Sequence, residues 1–367
     1  MSPLAHILLV AMLAVLYRSV RVYFGGCVCS TEGRLDGAVA LVYPADSDLG
    51  LLTTRGLARR GATVVMACSL VEKCNRARRQ LLDQFGPGSQ AALDNFVGES
   101  KLREDQISTV GIIMPKQASD CILTCTCTCS KTTRQTALQV WQLHHVSAAS
   151  IKEFCKKFRH KFTKLNILVL NSVYMSKTFD KTVDGLERHI GLNFVSSYLL
   201  AENLLPLLRR SSTAALTSRL VFVSSRLHAF GTLPEGLTEP VPPLPQSFDW
   251  WKAYTSSQLL TVTYASYLKS RDTQSKVAIA VVHPGLEAGL INKVFWKPFG
   301  YIFSWFGKSA WQAAQTTLAF LLQQQNPEDL YFAECQTAEL HLQEAGEDLL
   351  GRVRNDLKRH LLPTVYA

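Results

Sequence analysis

Ala38-Val-Ala-Leu-Val42 is a short apolar run, and Tyr43-Pro-Ala-Asp-Ser-Asp-Leu-Gly50 follows it directly. An apolar-periodic stretch over residues 49–60 comes next, closed by Gly61, and then the β-branched run Ala62-Thr-Val-Val-Met-Ala67. Apolar runs of five or six residues bounded by turn signals predict buried strands, and the 3.6-residue period between them predicts a helix. The unit is therefore strand, turn, helix, strand within about thirty residues, the building block of doubly wound parallel folds.

The same rhythm continues along the chain. Strand runs are predicted at 138–143, 167–170, 220–223 and 277–282, with helical patterns at 150–162, 185–208 and 254–269. Strands alternating with helices imply a parallel sheet covered on both faces. The expected fold class is α/β: one Rossmann-like doubly wound domain over residues 35–330, with a hydrophobic N-terminal segment over 1–34 and a tail over 331–367. Two stretches break the rhythm. Residues 86–135 exceed what a helix-to-strand connection needs and are expected to form an insertion. Residues 233–246 carry Pro234, Pro240, Pro242, Pro243 and Pro245 and are expected to be an extended surface loop that could dock a protein partner.

Composition narrows the function classes. The 367 residues, 47% of them hydrophobic, suffice for a large globular core. Lys and Arg number 39 against 29 Asp and Glu, a formal charge of +10, but the basic residues are scattered, which argues against nucleic acid. An anionic membrane surface suits that charge better. Residues 4–17 contain nothing more polar than His6, and Arg18 and Arg21 follow at once. As a helix this run is about 21 Å long, short of the roughly 30 Å hydrocarbon core. An uncleaved anchor is the expectation, with the domain on the cytosolic side of the endoplasmic reticulum or a similar membrane, because the arginines follow the apolar run. A cleaved signal peptide and a buried helix are the alternatives. The ten cysteines do not form the pattern of a disulfide framework. Cys121, Cys125, Cys127 and Cys129 lack the Cys-x-x-Cys pairs of structural zinc sites, so no metal is expected.

From about Leu35 to Cys335 the chain resembles the short-chain dehydrogenase/reductase family. Within that family it looks like the retinol-dehydrogenase-like branch and the catalytic domain of the WW-domain oxidoreductase. The matching pieces, in order, are Leu57-Ala-Arg-Arg-Gly-Ala62, Met66-Ala-Cys68, Asp184-Gly-Leu-Glu187 with Leu192-Asn193, Val223-Ser-Ser225, and His283-Pro-Gly285. No Trp precedes Trp141, so the WW modules of that relative are missing.

The resemblance implies hydride transfer between NAD or NADP and a carbinol or carbonyl carbon. It assigns the acid/base tyrosine to Tyr254, the substrate-orienting serine to Ser225 and the relay asparagine to Asn193. The ribose-binding lysine position holds Gln258, a neutral amide that supplies no charge, so Tyr254 keeps a pKa nearer the free value of about 10. Lys252, two residues before Tyr254 on the same helix, points elsewhere. The implied cofactor contacts are Ser47, Leu49, Gly50, Asn171, Pro284 and Gly285. Pro44 and Asp48 replace two loop glycines, removing a donor and adding a negative charge near the phosphates. His144 and Ser69 stand where an adenine-contacting acid and a 2′-phosphate-selecting base are expected.

The expected function is that of a membrane-associated relative with impaired catalysis, acting by binding a lipophilic small molecule or a protein. The alternative is an active NAD(P)-dependent oxidoreductase on a lipophilic alcohol or ketone such as a retinoid or steroid. Aromatic residues between Phe295 and Phe306, including Trp296 and Trp305, fall where a lid over such a ligand is expected.

Overall fold

In the computed structural model, residues 33–84, 138–144, 147–233, 248–272, 276–285, 307–323, 328–340 and 351–357 are described, with a few isolated positions near the termini. The sheet is built from β1 (Val39–Tyr43), β2 (Thr63–Cys68), β3 (Leu138–Gln142), β4 (Ile167–Leu170), β5 (Ser218–Val223), β6 (Val277–His283), β7 (Tyr331–Ala333) and β8 (Gln336–Thr337). Its strand order is β3-β2-β1-β4-β5-β6-β7-β8, parallel except for the antiparallel β7–β8 pair. Strand order reverses between β1 and β4. That reversal opens a crevice at the carboxyl ends of the strands, the place where such sheets bind ligands.

Among the described residues, the longer helices that cover the two faces are α1 (Asp48–Arg59), α2 (Val71–Gln84), α3 (Ala148–Lys161), α4 (Ser196–Ser211), α5 (Trp250–Arg271) and α6 (Ala310–Leu322). Side chains alternate across a strand, so β1 feeds two cores. Val39, Leu41 and Tyr43 pack with Phe154, Phe158, Leu204 and Leu260 from α3, α4 and α5. Ala40 and Val42 pack on the opposite face with Leu57 of α1 and Ala313 and Phe320 of α6. Each large side chain buried in this way contributes roughly 1.5–3 kcal/mol, which is why the central strands read as unbroken apolar runs.

Two expectations need correcting. The domain does not stop at 330, because β7 pairs with β6, and Val353 and Leu357 are buried in the main core. The short β7 run looked like a tail because three residues carry no periodic signal. The cysteines were also expected to form no disulfide framework, yet Cys68 and Cys74 form a disulfide and Cys335 is disulfide-bonded as well. The Cys68–Cys74 link ties the end of β2 to the first turn of α2 across a separation of six residues. Sequence spacing alone does not show that this short connection folds the two sulfurs together.

The insertion at 86–135 with its cysteine cluster, the proline run, the aromatic segment 295–306 and most of the apolar N-terminal run lie outside the described residues. Among the described residues no helix is long and apolar enough to cross a membrane, and no group of three or more His, Cys, Asp and Glu could hold a metal ion.

Candidate active site at the carboxyl edge of the sheet

The substrate side of the crevice assembles as the motifs imply. Ser225 follows β5 directly and caps the 3₁₀ helix Arg226–Phe230, its Oγ accepting the Leu227 N–H at 3.3 Å. Tyr254 lies in the second turn of α5, which starts at the Asp249 cap, and its side chain is fully buried. Burial pushes the Tyr254 phenol up to about 12, and the Ser225 side chain beside it pulls only weakly the other way. The phenol makes no well-formed hydrogen bond. It is therefore a poised proton donor and a poor base. The His189 ring packs edge-on to Tyr254 at 6.3 Å, and is itself fixed by Glu187 (Nδ1 to Oε1, 2.7 Å) and by the Ser176 N–H (3.1 Å to Nε2).

Asn193 sits in the π-helical turn Ile190–Val195 that leads into α4. Such turns recur at functional sites because they re-aim a backbone carbonyl. The Asn193 side chain, however, is committed to structure. Its Oδ1 accepts the Tyr174 N–H at 2.6 Å, and its Nδ2 donates to the Tyr174 carbonyl and to Ser257 Oγ, both at 2.9 Å. Gln258, one turn after Tyr254, is buried and accepts the Ser224 hydroxyl at 3.0 Å through Oε1, while its Nε2 has no partner. Lys252 is exposed, as its helical offset predicts.

The cofactor side is different. Ser47 caps α1: its Oγ accepts the Gly50 N–H at 2.9 Å and the Asn171 Nδ2 at 3.1 Å, and donates to the Pro44 carbonyl at 3.1 Å. A Cβ on Gly50 would stand 2.2 Å from that same carbonyl, so the loop folds down onto the helix and only glycine fits. Asp46 accepts the Leu70 N–H at 2.9 Å, and Asp48 reaches Lys73 at 3.3 Å. Leu49, expected to contact cofactor, buries its side chain in the core instead, leaving only backbone for a ligand. At the far end of the crevice Gly285 has φ +92°, and a Cβ there would meet Lys308 Cδ at 2.5 Å. Buried Lys308 donates to both Glu334 oxygens at 2.6 Å. Burial first, then the Arg226 and Lys308 charges, pushes His283 down to about 4. Sequence reasoning missed Glu187, His189, Lys308 and Glu334. The only signal for Lys308 was the glycine it covers.

A nicotinamide dinucleotide fits this crevice at one end only. Gln258 Nε2, in the interior of α5, and Asn171 Oδ1, just after β4, are buried polar atoms without partners, suited to ribose hydroxyls. At the diphosphate end the Ser47 hydroxyl caps the positive pole of α1 and Asp48 lies in its first turn, which is unfavourable for a further anion.

A doubly wound sheet with a serine and a buried tyrosine at its carboxyl edge defines an oxidoreductase-type Rossmann domain. Mouse retinol dehydrogenase 12 is 29% identical over 90% of this chain and 89% of its own length. Human retinol dehydrogenase 11 is 27% identical over 96% and 95%. No family profile matches the chain. Among solved structures, an uncharacterized protein from Mycobacterium paratuberculosis superposes with a TM-score of 0.52 at 23% identity, covering 83% of this chain and 84% of that one. A short chain dehydrogenase from Pseudomonas syringae gives 0.50 at 16% identity over 80% and 92%. These two structures support the fold. Over most of its length the chain is thus similar to retinol dehydrogenases, and its sheet has the fold of a short-chain dehydrogenase.

Proposed function

We propose that this chain is an oxidoreductase for a lipophilic alcohol or carbonyl, of retinoid or steroid type, with turnover lowered by the loss of the lysine charge. The buried Tyr254 phenol beside Ser225 carries this reading, and the near full-length similarity to retinol dehydrogenases supports it. NAD or NADP, when bound, would supply the hydride chemistry, with Gln258 and Asn171 as its ribose contacts. The chain's own part is to hold the substrate oxygen: Ser225 Oγ–H and the Tyr254 phenol can both donate to it. With a pKa of about 12, only about one Tyr254 in 10⁵ is a phenolate at neutral pH. Tyr254 therefore enters the reaction protonated, the form that carbonyl reduction needs.

A second reading is favoured by the Pro44–Gly50 loop. The Ser47 cap and the negative charge of Asp48 in the first turn of α1 disfavour a bound phosphate, which suits a protein that binds a lipophilic ligand or a partner without turnover. Thermal melts with NAD, NADH, NADP and NADPH separate the two readings, because a cofactor at one hundred times its dissociation constant stabilises the fold by about 2.7 kcal/mol. The first reading expects such a shift and slow reduction of an all-trans retinoid aldehyde. No shift with any dinucleotide, together with no turnover, leaves the second. Membrane attachment through residues 4–17, with the domain on the cytosolic face, belongs to the same proposal. Release by carbonate, or protection of the domain inside sealed vesicles, would overturn it.

A further inference from the structure

Phe230, at the end of the 3₁₀ helix behind Ser225, is 67% exposed, and Trp251, in the first turn of α5 ahead of Tyr254, is 38% exposed. The two rings approach to 6.3 Å, and Trp250 packs edge-on to Trp251 at 5.8 Å. Water-facing aromatic rings of this size, grouped rather than scattered, mark a contact surface. The group is ringed by cations. Lys177 Nζ lies 5.6 Å from the centre of the Trp250 ring, and Lys252 and Arg226 are exposed on the neighbouring turns. The nearby carboxylate, Asp249, is engaged in capping α5 through the Trp251 and Lys252 N–H groups.

A second group of rings packs around the site. Tyr254 meets His189 at 6.3 Å, His189 meets Phe248 at 6.0 Å, and Phe248 meets Phe179 at 5.3 Å. The exposed rings lie on the same two elements as the site residues: Phe230 ends the 3₁₀ helix that Ser225 caps, and Trp251 lies three residues before Tyr254 on α5.

We propose that the face carrying Phe230, Trp250 and Trp251 docks on the headgroup layer of an anionic phospholipid bilayer. Tryptophan favours that layer because its ring is apolar and its N–H polar. Lysine and arginine beside it gain from the negative surface potential, and the chain's +10 formal charge acts in the same direction. Docking there places the crevice against the bilayer, so a greasy substrate reaches Tyr254 without crossing water. This last consequence rests on the proposed lipophilic substrate, whereas the docking itself does not.

The test uses the full chain on phosphatidylcholine vesicles, with and without phosphatidylserine, carrying brominated acyl chains that quench tryptophan on contact. The apolar N-terminal run holds no tryptophan, since the first is Trp141, so its insertion produces no signal of its own. Subtracting Trp251→Phe from the native chain isolates Trp251. Its emission is expected to be quenched, more strongly with phosphatidylserine. Lys177→Glu with Lys252→Glu should abolish the extra quenching of Trp251 that phosphatidylserine produces and leave its quenching on neutral vesicles unchanged. An unquenched Trp251, including one shielded by a second copy or another protein, overturns the proposal, as does indifference to the two charge reversals. Turnover is not read, so failure here is distinct from failure of the proposed reaction.

Discussion

The two ends of the crevice have diverged unequally. On the substrate side Ser225, Tyr254 and Asn193 stand where the resemblance implies a serine, a tyrosine and an asparagine. On the cofactor side the loop from Pro44 to Gly50 and the residue at 258 have changed. The kept residues each have a second duty. Ser225 caps a 3₁₀ helix, Asn193 bridges the Tyr174 backbone, and Tyr254 fills buried volume against His189. A lysine at 258 and glycines at 44 and 48 serve little but a ligand. Retention of a catalytic side chain in this fold is therefore weaker support for catalysis than retention of a residue with no structural task.

The comparison breaks first at Tyr254. Tyr254→Phe removes a hydroxyl that makes no well-formed hydrogen bond, so the melting temperature should hold or rise slightly while carbonyl reduction falls by about 10²-fold or more. Equal loss of stability and activity would mean that the phenol is structural. Gln258→Lys should raise kcat about tenfold and move the alkaline limb of the pH profile to lower pH, because a cation near the phenol favours its ionised form. The same change buries an ammonium and orphans the Ser224 hydroxyl, so a lower melting temperature should accompany the gain. An unmoved alkaline limb would remove Tyr254 as the acid.

Asp48→Asn tests the other end. Removing this charge should tighten dinucleotide binding several-fold at low salt and less at high salt. Losing the exposed Asp48–Lys73 pair costs less than about 1 kcal/mol. Titration by calorimetry at two ionic strengths checks it, and unchanged affinity at both would clear Asp48 of any part in the weak grip. A separate effect, on stability alone, concerns His283, whose folded pKa of about 4 lies below its unfolded value. Its contribution is complete above the unfolded pKa near 6.5 and is lost as pH falls through the window down to about 4, at most ~3 kcal/mol. His283→Asn should flatten that part of the stability curve in denaturant melts run from pH 7 to 4.

Most of the fold was legible in one dimension. The central strands are apolar on both faces, and the helices between them keep a 3.6-residue period, so each element announces itself through its own residues. β4 at Ile167–Leu170 lay where the pattern put it, and α5 began four residues before the pattern because Trp250 and Trp251 at its start remain partly exposed. β7 was missed because three residues carry no period. Of the site, the motif positions were legible, and so was the outward course of Lys252, since helix geometry fixes it.

What those residues do was decided by the tertiary structure. Ser47 is held by Asn171 from 124 positions away, and Gln258 by Ser224 from 34. The order of strands in the sheet brings these partners together, and that order is set by the packing of both faces. The sequence by itself determined a doubly wound domain with a tyrosine and a serine at its carboxyl edge and a neutral amide in place of a lysine. Only the folded chain decided that the phosphate loop caps itself, that Asn193 is committed to the backbone, that Lys308 lies over Gly285, and that the Tyr254 phenol is buried without a firm partner. Burial and hydrogen-bond satisfaction are properties of surroundings drawn from distant segments, and no local pattern encodes them.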